Sequence, residues 1–418
     1  MKQDCAELKR RGVSSIVPKS KTLAFAEASD ASTFLAEMRG AFEAEIDLGL
    51  LGADWPESER VHARSRLLAF ANSEQAVEWR QKFGPLIYIA SGGTTGERRF
   101  AVHTAASLRA AALGFIEGFG APACAAWNVL PLYHVGGLMT LLRALEAGAP
   151  WEMGRYRKLS ETAPPKEFRA ALSLVPTQLH RLLEIPAAVR NLRKFQRIFI
   201  GGAELSGQDA ESARAEGLSL SPCYGMTETA AMVAALEPEA FLRGVDGCGH
   251  PLPHARVVLA EEDANEEAAI GIVSSSLALG WDSGEVFDQD LFWTQDTGRF
   301  DPEGHIVVTG RLDRMINTGG EKVDPLRVEN AIQRLADVDD VAVVGFSDVE
   351  WGEVVVAFVV GGRLAPEAIS TELKKSVRPA EVPKVVMPLQ ILPRSAMGKL
   401  DRTALEKIWK KHLKPSEA

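Results

Sequence analysis

The chain has 418 residues, of which 46% are hydrophobic and 25% charged, and its formal net charge is -9. That length exceeds what one hydrophobic core supports and predicts two or three domains. The acidic balance excludes general nucleic-acid binding, which needs a basic surface to displace counterions, and an anionic membrane surface as the main partner.

Four cysteines, Cys5, Cys124, Cys223 and Cys248, show neither CxxC spacing nor a dense framework, so reduced thiols in a cytoplasmic protein are expected. The opening residues, Met1 to Gly12, are polar and lack a secretory apolar core. The longest apolar runs, such as Val341 to Phe346, have the length of a core strand, so no membrane insertion is expected.

Residues 1–27 are weakly patterned. From Asp30 to about Glu45, Phe34, Leu35, Met38 and Phe42 recur at helical spacing, with Asp30 placed as N-cap. A second helix is predicted from about Glu57 to Lys82. The apolar run Leu86 to Ala90 predicts a strand that feeds Ser91–Arg99, SGGTTGERR, and a helix is expected after His103. Glycines allow backbone to approach an anion, turned N–H groups form an anion nest, and cations add charge-assisted hydrogen bonds. The stretch therefore reads either as a phosphate-holding loop or as a polar turn. It does not fit the GxxxxGK[ST] pattern, because Glu97 stands where that pattern needs its second Gly.

Further along, Ala105 to Phe119 predicts a helix and Ala125 to Leu130 a buried strand. That strand ends in Pro131-Leu132-Tyr133-His134-Val135-Gly136-Gly137, and Gly137 to Glu146 is again helical. Ala171 to Val175 predicts a strand, and Pro176 suits the first position of a helix to Leu183. Gln196 to Ile200 predicts a strand stopped by Gly201-Gly202, and Gln208 to Ala215 a helix. Alternating strands and helices of this length define an α/β fold with a mostly parallel sheet covered on both faces. Ligands in such sheets sit at the carboxyl ends of strands, where the loops containing Ser91, His134, Gly201 and Tyr224 fall.

From about residue 247 to 310, short β-like runs alternate with turns, which predicts a small antiparallel subdomain. Gly310 to Gly320 has few large apolar residues and reads as a linker or hinge. A small α+β domain follows, with helices at Pro325 to Leu335 and Pro366 to Ser376, strands at Val341 to Phe346, Val354 to Val360 and Val386 to Leu392, and a last helix after Asp401. The expected division is a large N-terminal domain over 1–311 and a small mobile C-terminal domain over 312–418.

Several positions combine the side chains a nucleotide site needs. In Tyr224-Gly225-Met226-Thr227-Glu228-Thr229 a ring can stack on a purine, a hydroxyl can reach phosphate, and a carboxylate can hold Mg²⁺; the same stretch also reads as a helix start capped by Thr227. Asp296 can accept two ribose hydroxyls or serve as a turn residue before Gly298. Arg311 can bridge ribose and phosphate or be a solvated linker charge. Lys399 needs a moving domain to bring it to phosphate and is otherwise a surface charge. His134 can line a pocket, and Cys223 lacks the His–Asp pairing of a thiol nucleophile.

The order of these signals carries more weight than any one. SGGTTG, PLYH, IGGAE, YGMTET, QDTGRF, GRLDR, GGEKV and PRSAMGK together resemble the acyl-adenylate-forming superfamily of acyl-CoA synthetases, adenylation domains and luciferases, over roughly residues 84–410. Within it, PLYHVGGLMTLLRAL and SLVPTQLHRLL are most similar to the o-succinylbenzoate–CoA ligases, and so is the short N-terminal region.

The resemblance implies ATP triphosphate binding by Ser91, Gly93, Thr94, Thr95 and Gly96, while Gly92, Arg98 and Arg99 stand where the family has Ser, Pro and Lys. It implies an adenine pocket at Gly201, Gly202 and Tyr224, phosphate and Mg²⁺ contacts at Thr227 and Glu228, and ribose contacts at Asp296 and Arg311. Gln295 replaces a family Gly, so a locally different backbone is expected. The hinge maps to Asp313, the lysine that approaches the reacting carboxylate maps to Lys399, and the loop facing the acyl site and the CoA tunnel maps to Gly319, Gly320 and Glu321.

The implied activity is a two-step, ATP- and Mg²⁺-dependent ligation of a small carboxylate to CoA, with a homodimer among the expected assemblies. The acyl pocket is expected among His134, Gly137, Gln178, Gly201, Gly202, Ala203 and Met226. His134, Gln178 and His180 are the candidates for a second substrate carboxylate. Aryl- or fatty-acyl-CoA ligation is the alternative chemistry, and a non-catalytic nucleotide sensor the alternative class.

Overall fold

In the computed structural model, the described residues are 22–27, 30–91, 98–260, 267–335, 338–361, 365–394 and 400–413. They form four sheets. The first sheet orders the strands Leu23–Ala26, Asp47–Leu50, Leu86–Ala90, Phe100–Thr104 and Gly280–Trp281, with the first three parallel and the rest antiparallel. Asp47 is wholly buried in it, yet satisfied: Arg80 Nε, the Leu86 backbone N–H and the Tyr88 hydroxyl each donate to its carboxylate at 2.9 Å. Such pairing is what makes a buried charge tolerable.

The second sheet has seven strands in the order His250–Pro251, Ala231–Ala235, Leu220–Met226, Arg197–Ile200, Ala171–Leu174, Ala126–Asn128 and Trp151–Met153. Its last five strands are parallel. Helices cover it, and the apolar seam between them includes Leu172, Leu174, Leu179, Leu182, Ile198 and Leu220. The third sheet, Ala255–Leu259, Ala268–Ser274, Phe292–Phe300 and Ile306–Arg311, is wholly antiparallel, as the turn-rich sequence predicts. The fourth is built on the hairpin of Val338–Asp348 and Gly352–Gly361, with Val385–Leu389 parallel at one side. The helix Pro325–Gln333 packs on it, burying Val328 and Ile332. The architecture is therefore an α/β fold with a large N-terminal and a small C-terminal part.

Three local expectations need correction. The long helix predicted from Glu57 to Lys82 is two helices, Glu57–Ala71 and Glu74–Phe83. The Ser73 hydroxyl accepts the Ala76 N–H at 3.2 Å and starts the second helix, a local bond that competes with helix continuation. The Gly/Thr stretch does not lead directly into a helix: Phe100–Thr104 forms a strand first, antiparallel to Leu86–Ala90, and Ser91 N donates to Arg99 O at 2.8 Å. The stretch thus joins the arms of a hairpin. Finally, Gly310 to Gly320 carries regular structure, a 3-10 turn at Leu312–Arg314 and a strand at Ile316–Thr318.

Candidate active site

The centre of the site is the end of the strand Leu220–Met226 and the turn Thr227–Thr229 that follows. Gly225 is required there: a Cβ on it would lie 2.0 Å from the Ala231 carbonyl oxygen of the returning strand. The turn exits through Ala230 and Ala231, whose φ values of 54° and 77° are unusual for residues with a side chain. Backbone in this region is costly and persists only where surroundings fix it.

Those surroundings are explicit. Three consecutive carbonyls of the turn are taken from behind. His103 Nε2 lies 2.7 Å from Thr227 O, the Ala278 N–H donates to Glu228 O at 2.8 Å, and the Ser276 hydroxyl donates to Thr229 O at 2.8 Å. The Thr229 hydroxyl adds a bond to Ala231 O at 2.7 Å. Thr227 and Glu228 are left half-buried on this fixed turn.

Tyr224 and the third sheet meet beside it. The Tyr224 hydroxyl donates to Asp296 Oδ2 at 2.8 Å, and Arg311 Nη1 donates to Asp296 Oδ1 at 3.0 Å. Asp296 and Arg311 face each other across neighbouring antiparallel strands, so sheet register alone brings them together. Burial, reinforced by the Asp296 carboxylate, raises the Tyr224 phenol and keeps it a donor. Gln295, expected to alter the local backbone, has an exposed side chain in the strand Phe292–Phe300, and the pairing with Ala268–Ser274 is irregular there, its register shifting between Ala269–Thr297 and Gly271–Trp293. Strand alternation sends residue 295 to the face opposite Asp296.

Gly201 and Gly202 follow the strand Arg197–Ile200 directly. Cys223 Sγ packs against Gly201, donates to Ile200 O at 3.2 Å, and has its thiol pushed up to about 12 by burial. It is a packed thiol and not a thiolate nucleophile. His134 is buried at the N-terminus of the helix Val135–Ala147, its ring 4.4 Å from that of Tyr133. Ser91 ends the strand Leu86–Ala90, while Gly92, Gly93, Thr94, Thr95 and Gly96 lie outside the described residues.

At the foot of that loop both arginines are engaged. Arg98 sits 4.2 Å over the Trp55 ring and pairs with Glu59, and Arg99 sits 4.2 Å over the Trp281 ring and pairs with Glu285. Gly319 and Gly320 turn the Ile316–Val323 hairpin with φ of 59° and 83°. Lys399 and the Asp313 side chain lie outside the described residues.

Two functional candidates escape a motif-based reading. His103 is one. The other is Arg143, on the same helix as His134, which is 3% exposed. Its guanidinium lies 4.1 Å over the Phe115 ring, and its Nε and Nη2 have no hydrogen-bond partner among the described residues. Burial lowers it to about 10, while the Cys124 and Cys223 thiols act in the opposite sense. The signal in sequence is one Arg inside the otherwise apolar run Leu138-Met139-Thr140-Leu141-Leu142-Arg143-Ala144.

Of the three expected carboxylate partners, two make contacts that do not use their Nε2 donors: Gln178 Oε1 accepts the Val175 N–H at 3.2 Å, and His180 Nδ1 lies 2.9 Å from Asp209 Oδ1.

A covered α/β sheet whose strand end carries a tyrosine and a rigid Thr–Glu turn, met by an aspartate–arginine pair from the antiparallel sheet, fits a nucleotide-handling enzyme. The chain belongs to the AMP-binding enzyme family: residues 12–274 match that family, and residues 327–399 match the AMP-binding enzyme C-terminal domain. It is 28% identical over 289 residues to a 2-succinylbenzoate–CoA ligase of Oceanobacillus iheyensis, covering 66% of this chain and 60% of that protein. It is 26% identical over 321 residues to one from Listeria innocua, covering 76% of this chain and 68% of that protein. The chain thus spans about 60% of the length of the Oceanobacillus relative.

Among solved structures, o-succinylbenzoate CoA synthetase from Bacillus subtilis in complex with its acyl-adenylate intermediate has the same fold, with a TM-score of 0.75, 21% identity, and coverage of 96% and 90% of the two chains. ATP-bound MatB from Rhodopseudomonas palustris shares it at a TM-score of 0.76 and 18% identity, covering 98% and 92%.

Proposed function

We propose that this protein is an AMP-forming acid–CoA ligase whose acid is 2-succinylbenzoate, a substrate of menaquinone or phylloquinone synthesis. The ligase reading rests on the Tyr224–Asp296–Arg311 cluster beside the anchored Thr227–Glu228 turn. The choice of acid is carried by one observation, the Nε and Nη2 donors of Arg143, which are buried and have no partner among the described residues. An isolated buried charge costs several kcal/mol, so an anion that completes it is strongly selected. Arg143 shares a helix with His134 and lies among Phe115, Cys124 and Cys223. A second carboxylate on the acid would complete its donors, and a fatty acid has none to offer.

The residues suit the reaction. Tyr224 lines the adenine side and Asp296 accepts ribose hydroxyls, with Arg311 released from it toward sugar and phosphate. Thr227 reaches phosphate, and the donor set fits Mg²⁺, because a carboxylate and a hydroxyl on a fixed turn are the oxygen ligands this cation prefers. When bound at Glu228, Mg²⁺ neutralises charge on the phosphate oxygens. A carboxylate oxygen of the acid attacks the α-phosphorus, pyrophosphate leaves, and an acyl-adenylate remains. Lys399 offsets the charge that builds as two anions meet. The CoA sulfur then attacks the acyl carbonyl and AMP leaves. Rotation at Asp313 removes Lys399 and brings Gly319, Gly320 and Glu321 to the site, a rigid-body switch at a linker.

Pyrophosphate exchange across a panel of acids tests this. Exchange with 2-succinylbenzoate and little with benzoate or fatty acids is expected. The reverse order would overturn the choice of acid, and no exchange with any acid would overturn the ligase reading.

A further inference from the structure

Two parts of the nucleotide site, the Gly/Thr loop and the Thr227–Thr229 turn, lie 124 residues apart when counted from His103 to Thr227, and one side chain joins their frames. His103 belongs to the strand Phe100–Thr104, which leaves the Gly/Thr loop, and it is 0% exposed. A carbonyl oxygen only accepts, so His103 Nε2 carries a proton and donates it to Thr227 O at 2.7 Å. Its Nδ1 is then the acceptor and faces the Ser107 hydroxyl at 3.0 Å. Ser107 is itself fixed: it forms a reciprocal capping box with Thr104 at the start of the helix Ala105–Phe119.

The same strand pairs with Gly280–Trp281, and the segment leading there supplies both other holds on the turn, Ser276 and Ala278. At its opposite end, Asp282 takes the Phe100 N–H at 2.9 Å and the Arg66 Nε at 2.7 Å. One rigid frame therefore carries the exit of the loop and the back of the turn.

We propose that His103 is a positioning residue for magnesium–nucleotide binding. With its tautomer set by the Thr227 carbonyl, it holds that oxygen and thereby aims the Thr227 hydroxyl and the Glu228 carboxylate at the phosphates. The inference rests on the ligase reading above, and its closest parallel is the outer partner of a metal ligand, whose loss typically costs 10–100-fold in affinity or activity.

The test uses the full chain with His103→Leu, His103→Gln and Ser276→Ala. Magnesium–ATP affinity is measured by calorimetry, and the two half-reactions by pyrophosphate exchange and by CoA transfer from supplied 2-succinylbenzoyl-adenylate. For folded His103→Leu, magnesium–ATP affinity and exchange are expected to fall roughly 10- to 100-fold, while CoA transfer stays near the wild-type rate. His103→Gln retains an N–H donor and recovers most of the loss. Ser276→Ala, which releases Thr229 alone, shows the same selective loss in smaller measure and serves if His103→Leu does not fold.

Equal loss in both half-reactions, or unchanged magnesium–ATP affinity in the variants, overturns the proposal. A wild-type protein that binds magnesium–ATP but activates no acid overturns the ligase reading instead, and the affinity of the variants still decides the role of His103.

Discussion

The turn Thr227–Thr229 and the segment Gly310–Gly320 both border the site, yet they are built in opposite ways. Each carbonyl of the turn is held by a group from outside it, and its exit passes through two non-glycine residues with positive φ. The segment instead exposes Leu312 and Arg314 and closes on Gly319 and Gly320 in left-handed conformations that glycine adopts without strain. The first construction preserves one geometry. The second places few buried apolar contacts where the proposed hinge lies, which is what local opening requires. The proposed two-step ligation would need both: phosphates held in one place while a domain exchanges the faces it presents.

The contrast predicts which changes separate the two half-reactions. The largest effect is expected at Lys399, carried by the part proposed to move. Lys399→Ala should lower adenylation by at least about 10²-fold, the scale of losing one preorganised electrostatic contact, yet still convert supplied acyl-adenylate and CoA to thioester. Equal loss in both would break the comparison.

Asp296→Ala acts on the fixed side. It leaves Tyr224 and Arg311 without their acceptor and should raise the KM for ATP by roughly 10- to 100-fold, since hydrogen bonds to charged groups are worth about 1.5–3 kcal/mol. Transfer from supplied acyl-adenylate should suffer as well, because the nucleotide is held in both steps. Arg143→Met should raise the KM for 2-succinylbenzoate by about tenfold or more, for loss of a charge-assisted contact. It should also keep or raise Tm, because an apolar side chain replaces an unpaired buried charge.

The smallest effect concerns pH. The pKa of His103 is depressed in the folded state, so the unfolded chain binds more protons between the ordinary histidine value and about 4. Its contribution to stability is complete above the ordinary value and declines as pH falls toward 4. Glu329, pushed up to about 7 by burial, acts in the opposite sense. The measurement is therefore the difference between wild type and His103→Gln in denaturant midpoint, which should shrink on acidification from neutral pH.

Much of the fold was legible because its strands are short apolar runs closed by Gly or Pro. Asp30 caps its helix by accepting the Thr33 N–H at 2.9 Å, and the helix Pro176–Leu183 begins at its proline, both as sequence requires. The helix break at Ser73 was missed because one side-chain hydrogen bond outweighed continuous helical periodicity. Sequence order placed Tyr224, Thr227, Glu228, Asp296 and Arg311 in one functional set, and the structure joins Tyr224, Asp296 and Arg311 by direct hydrogen bonds.

His103 and Arg143 were invisible for a different reason. Their meaning lies in what surrounds them: His103 finds Thr227 through sheet pairing, and Arg143 is notable for partners it lacks. No linear pattern records His103, and the lone Arg143 in a largely apolar run does not show what it lacks. The departures at Arg98 and Arg99 also became intelligible only in three dimensions, as each is stacked on a tryptophan and paired with a glutamate.

The central claim is that this site activates an acid bearing a second carboxylate. The most direct measurement is pyrophosphate exchange by wild type and Arg143→Met with 2-succinylbenzoate and with benzoate, at equal ATP and Mg²⁺. Strong wild-type exchange with 2-succinylbenzoate, little with benzoate, and loss of that preference in Arg143→Met are expected. Equal exchange with both acids, or a preference unchanged in the variant, would contradict it.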